Sequence, residues 1–83
     1  MEAKLKQDIS IGENLQRLRK QANLSQSEVA RLLQLDPRLS DIAISREIIS
    51  QMEAGKYSIR ISVLLTLKDL YHVSSMDEFF EGL

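Results

Sequence analysis

The sequence predicts an all-α domain of five short helices. Two signals favour helices: apolar residues recur at helical spacing, as in Ile11, Leu15, Leu18 and Ala22, and three Ser-x-x-Glu pairs stand where helices would start, at Ser10/Glu13, Ser25/Glu28 and Ser75/Glu78. A third excludes the alternative, because no segment alternates with period two over a strand's length.

Taken in order, residues 1–9 form a polar N-terminal arm and residues 10–83 a single domain. The first helix is expected over 11–22, capped by Ser10. The second spans 26–35: Ser25 caps it, Leu24 staples onto Val29, and Val29, Ala30 and Leu33 face inward. Asp36-Pro37 stops it, since proline disfavours helical geometry in the residue before it. Residues 36–44 are a connection containing Ser40 and Asp41. A third helix occupies about 46–54, with Ser45 as N-cap, Ile44 and Ile49 as a staple, and Gly55 as the left-handed residue that ends it. Residues 55–61 form a loop with Lys56, Tyr57, Ser58 and Arg60. The fourth helix, 62–71, turns Leu64, Leu67, Leu70 and Tyr71 inward, and a short fifth runs from Met76 to Glu81. With Leu15, Leu18, Ile49 and Met52, these apolar positions make the core. Tyr71, Phe79, Phe80 and Leu83 are either a lid on that core or a dimer patch.

Composition narrows the function. Eighty-three residues with 43% hydrophobic and 28% charged content describe a small globular domain with a thin core, which dimerisation would help. The chain has no cysteine, which removes disulfides and thiolate metal sites and suits a reducing cytoplasm. His72 is the single histidine and has no companion ligands, so no metal or other cofactor is expected. No Ser/His/Asp constellation or glycine-rich phosphate loop suggests an enzyme. No apolar run is long enough for a membrane span, and the first residues lack the apolar stretch of a secretion signal, so a cytoplasmic location is expected. Net charge is −1, but it is uneven: residues 1–60 carry ten Lys/Arg against eight Asp/Glu, and residues 61–83 one against four. A phosphate-facing surface belongs in the first sixty residues.

The third helix carries the sharpest signal. Ile49 and Met52 fall on one face; Arg46, Glu47, Ser50 and Gln51 fall on another. Arginine can bond guanine O6 and N7, glutamine adenine N6 and N7, and glutamate cytosine N4 in a DNA major groove. The bland alternative for such a stripe is a solvated helix face.

Context favours the former. Ile11-Gly-Glu-Asn-Leu-Gln-Arg-Leu-Arg-Lys20, Leu24-Ser-Gln-Ser-Glu-Val-Ala30, Ile44-Ser-Arg-Glu-Ile-Ile-Ser-Gln-Met-Glu-Ala-Gly-Lys56 and Val73-Ser-Ser-Met-Asp-Glu-Phe-Phe80 stand in that order. The chain thereby resembles the lambda-repressor/Cro-like family, the xenobiotic-response-element type of helix-turn-helix regulators of bacteria and phages, over about residues 10–80. It departs at the turn between helices two and three, where about eight to nine extra residues replace a short glycine-containing turn.

The resemblance implies a compact five-helix lambda-repressor-like domain with a lengthened helix 2–helix 3 connection and a recognition helix at about 46–54. It implies base contact by Arg46, Glu47, Ser50 and Gln51, with Glu47 either selecting against a base or orienting Arg46. It implies phosphate contact by Gln26 at the N-terminus of helix two, with Lys20, Ser45, Lys56, Ser58 and Arg60 as further phosphate candidates and Arg31 and Arg38 as weaker ones. It implies a structural salt bridge between Arg19 and Glu53 that orients the recognition helix. The function implied is sequence-specific transcription regulation, as a repressor binding a palindromic operator on double-stranded DNA as a homodimer. The acidic segment 61–83 and the near-neutral charge motivate an alternative: a protein-interaction module such as an antitoxin, with a protein partner.

Overall fold

The computed structural model describes residues 4–5 and 9–82; Met1–Ala3, Lys6–Asp8 and Leu83 lie outside the described residues, and with them much of the expected arm and one member of the aromatic patch. The chain runs β1 (Lys4–Leu5), α1 (Ile9–Gln21), α2 (Gln26–Leu35), a 3-10 turn (Pro37–Leu39), α3 (Arg46–Glu53), β2 (Ile59–Arg60), α4 (Ile61–Leu70) and a second 3-10 segment (Met76–Phe80).

Four α-helices are therefore present among the described residues, not five. The expected fifth is a 3-10 segment, and its start differs from the predicted capping box. The Ser75 hydroxyl accepts from the Asp77 N–H, and Glu78 reaches one residue further back, accepting from the N–H and hydroxyl of Ser74. The Ser10/Glu13 box is also displaced as a start signal: α1 begins at Ile9, so Ser10 already lies in its first turn. The all-helical expectation missed one small feature. Lys4–Leu5 and Ile59–Arg60 pair antiparallel, Lys4 opposite Arg60 and Leu5 opposite Ile59, tying the arm to the loop after α3.

Where cap chemistry is local, the expected ends hold. At α2 the Ser25 hydroxyl accepts from the Glu28 N–H (3.0 Å) while the Glu28 carboxylate accepts from the Ser25 N–H (2.9 Å). These bonds hold the Glu28 carboxyl below its ordinary range, the backbone bond contributing most. At α3 the Ser45 hydroxyl accepts from the Ile48 N–H (3.3 Å). Three helices end alike, with a left-handed residue at Asn23 (φ 60°), Gly55 (φ 75°) and His72 (φ 57°). In each, the following N–H reaches back: Leu24 to the Arg19 carbonyl, Lys56 to Gln51, Val73 to Lys68. Helix α2 ends otherwise, with Asp36 extended before Pro37.

The core is one cluster. Leu15, Leu18, Val29, Leu33, Ile49, Met52, Leu64 and Leu67 are buried in it, and Leu24 packs half-buried at its margin. Phe79 is fully buried, Tyr71 is buried and Phe80 is half-buried, so these aromatics form the lid on the core. Asn14, 5% exposed, holds that lid down: its amide donates to the carbonyls of Phe79 (3.0 Å) and Glu81 (2.8 Å).

Candidate nucleic-acid interface

Helix α3 lies against α1 and α2. Its apolar side, Ile49 and Met52, enters the core, with Ile48 at the margin. The opposite side leaves Arg46, Glu47, Ser50 and Gln51 exposed, as the spacing predicts. None of the four side chains takes a hydrogen bond or ion pair among the described residues, and none links Glu47 to Arg46.

The side of α3 turned toward α1 is held from beneath. Arg19 donates from Nε to Glu53 Oε2 (2.6 Å) and from Nη2 to Oε1 (3.1 Å), the parallel two-point geometry that fixes a carboxylate in orientation as well as distance. The side chains are 9% and 5% exposed, so the pair is shielded from solvent. The third guanidinium nitrogen donates to the Leu24 carbonyl (2.8 Å), fastening the same arginine to the turn before α2. The Glu53 bond raises the Arg19 pKa against the opposing effect of burial, so the guanidinium stays charged. Nearby, burial pushes the Tyr71 hydroxyl up, and the Glu53 charge adds to it.

Gln26 joins this pair. Its Nε2 donates to Glu53 Oε1 (3.0 Å) from the first turn of α2, and the residue is half-buried. Sequence reasoning gave Gln26 only a phosphate role; a glutamine at a helix start carries no mark of a partner so distant in the chain.

Gly12 was also missed. A Cβ there would stand 2.4 Å from the Glu53 carbonyl oxygen and 3.0 Å from that of Met52, so α1 meets the end of α3 backbone to backbone. An isolated glycine inside a helix, disfavoured by about 1 kcal/mol relative to alanine, was the available signal.

The other expected phosphate-facing residues differ in exposure. Lys20, Ser45, Lys56 and Ser58 are exposed; Arg60 is half-buried on β2, at the N-cap of α4. Among the described residues no ion pair engages Lys20, Arg46, Lys56 or Arg60. Arg31 is likewise exposed. Arg38 is differently placed. It binds Asp36 through Nη2 (2.9 Å) and Asp69 of α4 through Nη1 (2.7 Å), so its charge is matched within the molecule.

Those contacts dock the long connection between α2 and α3. Leu39 is buried, and the Gln34 amide donates to the Ile44 carbonyl (2.6 Å) just ahead of α3. The extra residues are thus packed on α2 and α4.

Among the described residues no group of His, Cys, Asp and Glu could hold a metal, and no helix is long and apolar enough to cross a membrane. No curated protein and no solved structure matched the chain. A family model described as "Helix-turn-helix domain" matches residues 10–79, which takes in all four helices but the first residue of α1. Such a domain suggests a DNA-binding regulator with DNA as its partner. On this match the chain belongs to the helix-turn-helix domain family.

Proposed function

We propose that this protein is a sequence-specific transcriptional regulator of the lambda-repressor/Cro-like type, a cytoplasmic repressor that binds a palindromic operator as a homodimer. The observation that carries the reading is the exposed, internally unpartnered stripe Arg46, Glu47, Ser50 and Gln51, on a helix whose other faces are fixed by core packing and the Arg19–Glu53 pair. A side chain free of internal bonds can bond a base edge without breaking one first, and a fixed helix limits the ordering cost of doing so. Lys20, Lys56 and Arg60, unpaired among the described residues, supply the cations for phosphate contact, with Gln26, Ser45 and Ser58 as neutral donors.

Selection of bound duplexes from a random DNA library, at two salt concentrations, tests this. The expected product is a pair of inverted half-sites about 34 Å apart, centre to centre, with affinity falling steeply as salt rises. Arg46→Ala should cost about 1–3 kcal/mol at the selected site and relax preference at one position, with little change on random DNA. Failure to enrich any sequence at low salt would refute the reading. Co-purification of an unrelated stoichiometric protein together with that failure would favour the interaction-module alternative.

A further inference from the structure

The Arg19–Glu53 pair alone does not bring α2 into line with α3. Arg19 reaches α3 from α1, and its one bond toward α2 goes to the carbonyl of Leu24, ahead of that helix. Helices α2 and α3 are joined by residues 36–45, too long a connection to set their angle by itself. Besides their shared core packing, two side-chain hydrogen bonds tie the pair together among the described residues. At one end the Gln34 amide donates to the Ile44 carbonyl; at the other the Gln26 amide donates to Glu53 Oε1. The bonds lie at opposite ends of each helix: Gln26 and Gln34 bracket α2, while Ile44 and Glu53 bracket α3. Of the two, the Gln26 bond ends on a carboxylate already locked by Arg19, so it is charge-assisted and has a fixed acceptor.

We propose that Gln26 is a positioning residue for the reading helix: through Glu53 it sets the angle between α2 and α3 that a short turn would otherwise set. Gln26 retains a second N–H that can donate to a phosphate, so one side chain can link backbone contact to the pose of α3. That link to DNA rests on the proposed function above; the hold on Glu53 does not.

Two variants of the full chain test the two parts separately. A glutamate in the first turn of a helix ordinarily stabilises it through the helix dipole. Gln26→Glu instead sets a second carboxylate against Glu53, and we expect the folding equilibrium constant in urea titrations at pH 7 to drop about tenfold. An unchanged or increased stability would overturn the proposal, because it would mean that residue 26 and Glu53 are not held together. Gln26→Met keeps the length of the side chain and loses the donor. With the fold retained by circular dichroism, it should bind the selected operator about tenfold more weakly while its affinity for a scrambled duplex falls less, so that discrimination narrows. An equal loss on both duplexes would reduce Gln26 to a phosphate contact and overturn the positioning role. If the wild-type chain selects no operator, the proposed function fails, and the Gln26→Glu measurement still judges the hold on Glu53.

Discussion

The joint between α1 and α2 and the joint between α2 and α3 solve one problem by opposite means. The first occupies residues 22–25 and is specified almost wholly by its own neighbourhood: Asn23 turns left-handed, the Leu24 N–H reaches back to Arg19, and Ser25 and Glu28 cap each other. The second occupies residues 36–45 and draws its geometry from elsewhere. Leu39 sinks into the core, Arg38 reaches Asp69, Gln34 takes the Ile44 carbonyl, and Glu53 is held by Arg19 and Gln26. A short joint is rigid because few conformations satisfy its caps. A long joint becomes rigid only through contacts that close loops, and each costs chain entropy to form. The presentation of α3 therefore depends on side chains on α1, α2 and α4 as much as on its own connection.

Breaking the long joint at its most buried tie should have the largest effect. Arg19→Met leaves the Glu53 carboxylate shielded and without its cation, and should destabilise by about 3–5 kcal/mol in denaturant titrations. A loss below about 1 kcal/mol would mean that the pair is solvated and does not bear on the pose of α3. Gly12→Ala comes next. Its methyl group would meet the Glu53 carbonyl at 2.4 Å, and backbone cannot swing aside as a side-chain tip can. A cost of about 1–3 kcal/mol is expected, with α3 displaced and DNA affinity reduced alongside. The short joint should answer more mildly. Ser25→Ala removes one half of a capping box and should lower stability by about 1 kcal/mol, visible as a lower urea midpoint with an unchanged slope.

The smallest effect belongs to Arg38→Ala. Arg38 and Asp69 are exposed, so the change in melting temperature should be slight and should vanish in high salt. It should also depend on pH in a definite direction. Arg38 holds the Asp36 carboxyl below its ordinary range. A depressed carboxyl stabilises the fold above the ordinary carboxylate range and loses that contribution as the pH falls through its lowered pKa. Wild type and Arg38→Ala should therefore converge in acid, as followed by thermal melts across pH; a gap that widens in acid would contradict this assignment.

The same contrast explains what could be read from the sequence. Ser25/Glu28, Ser45, Pro37 and Gly55 act on residues a few positions away, so their roles are written locally. The inward faces of α1 to α4 follow from periodicity for the same reason. Arg19 and Glu53 were paired only through the family resemblance, since nothing in the sequence links two residues 34 positions apart. Asn14, whose acceptors lie 65 and 67 residues on, looked like any polar residue of an amphipathic helix. Lys4–Leu5 was too short to register as a strand without its partner. In the reading surface, the exposure of Arg46, Glu47, Ser50 and Gln51 followed from spacing, while the tie between Gln26 and Glu53 required the fold.

Asn14 also sets an order in which the molecule should come loose. Its bonds to the Phe79 and Glu81 carbonyls are between neutral partners, so neither ionic strength nor acid removes them. The exposed fastening of Arg38 to Asp36 and Asp69 is ionic, and both act on it. Acid below the ordinary carboxylate range, or concentrated salt, should thus loosen the connection ahead of α3 while the aromatic lid stays shut. Hydrogen exchange should show this as early labelling of the amides around residues 38–42, with Phe79 still protected.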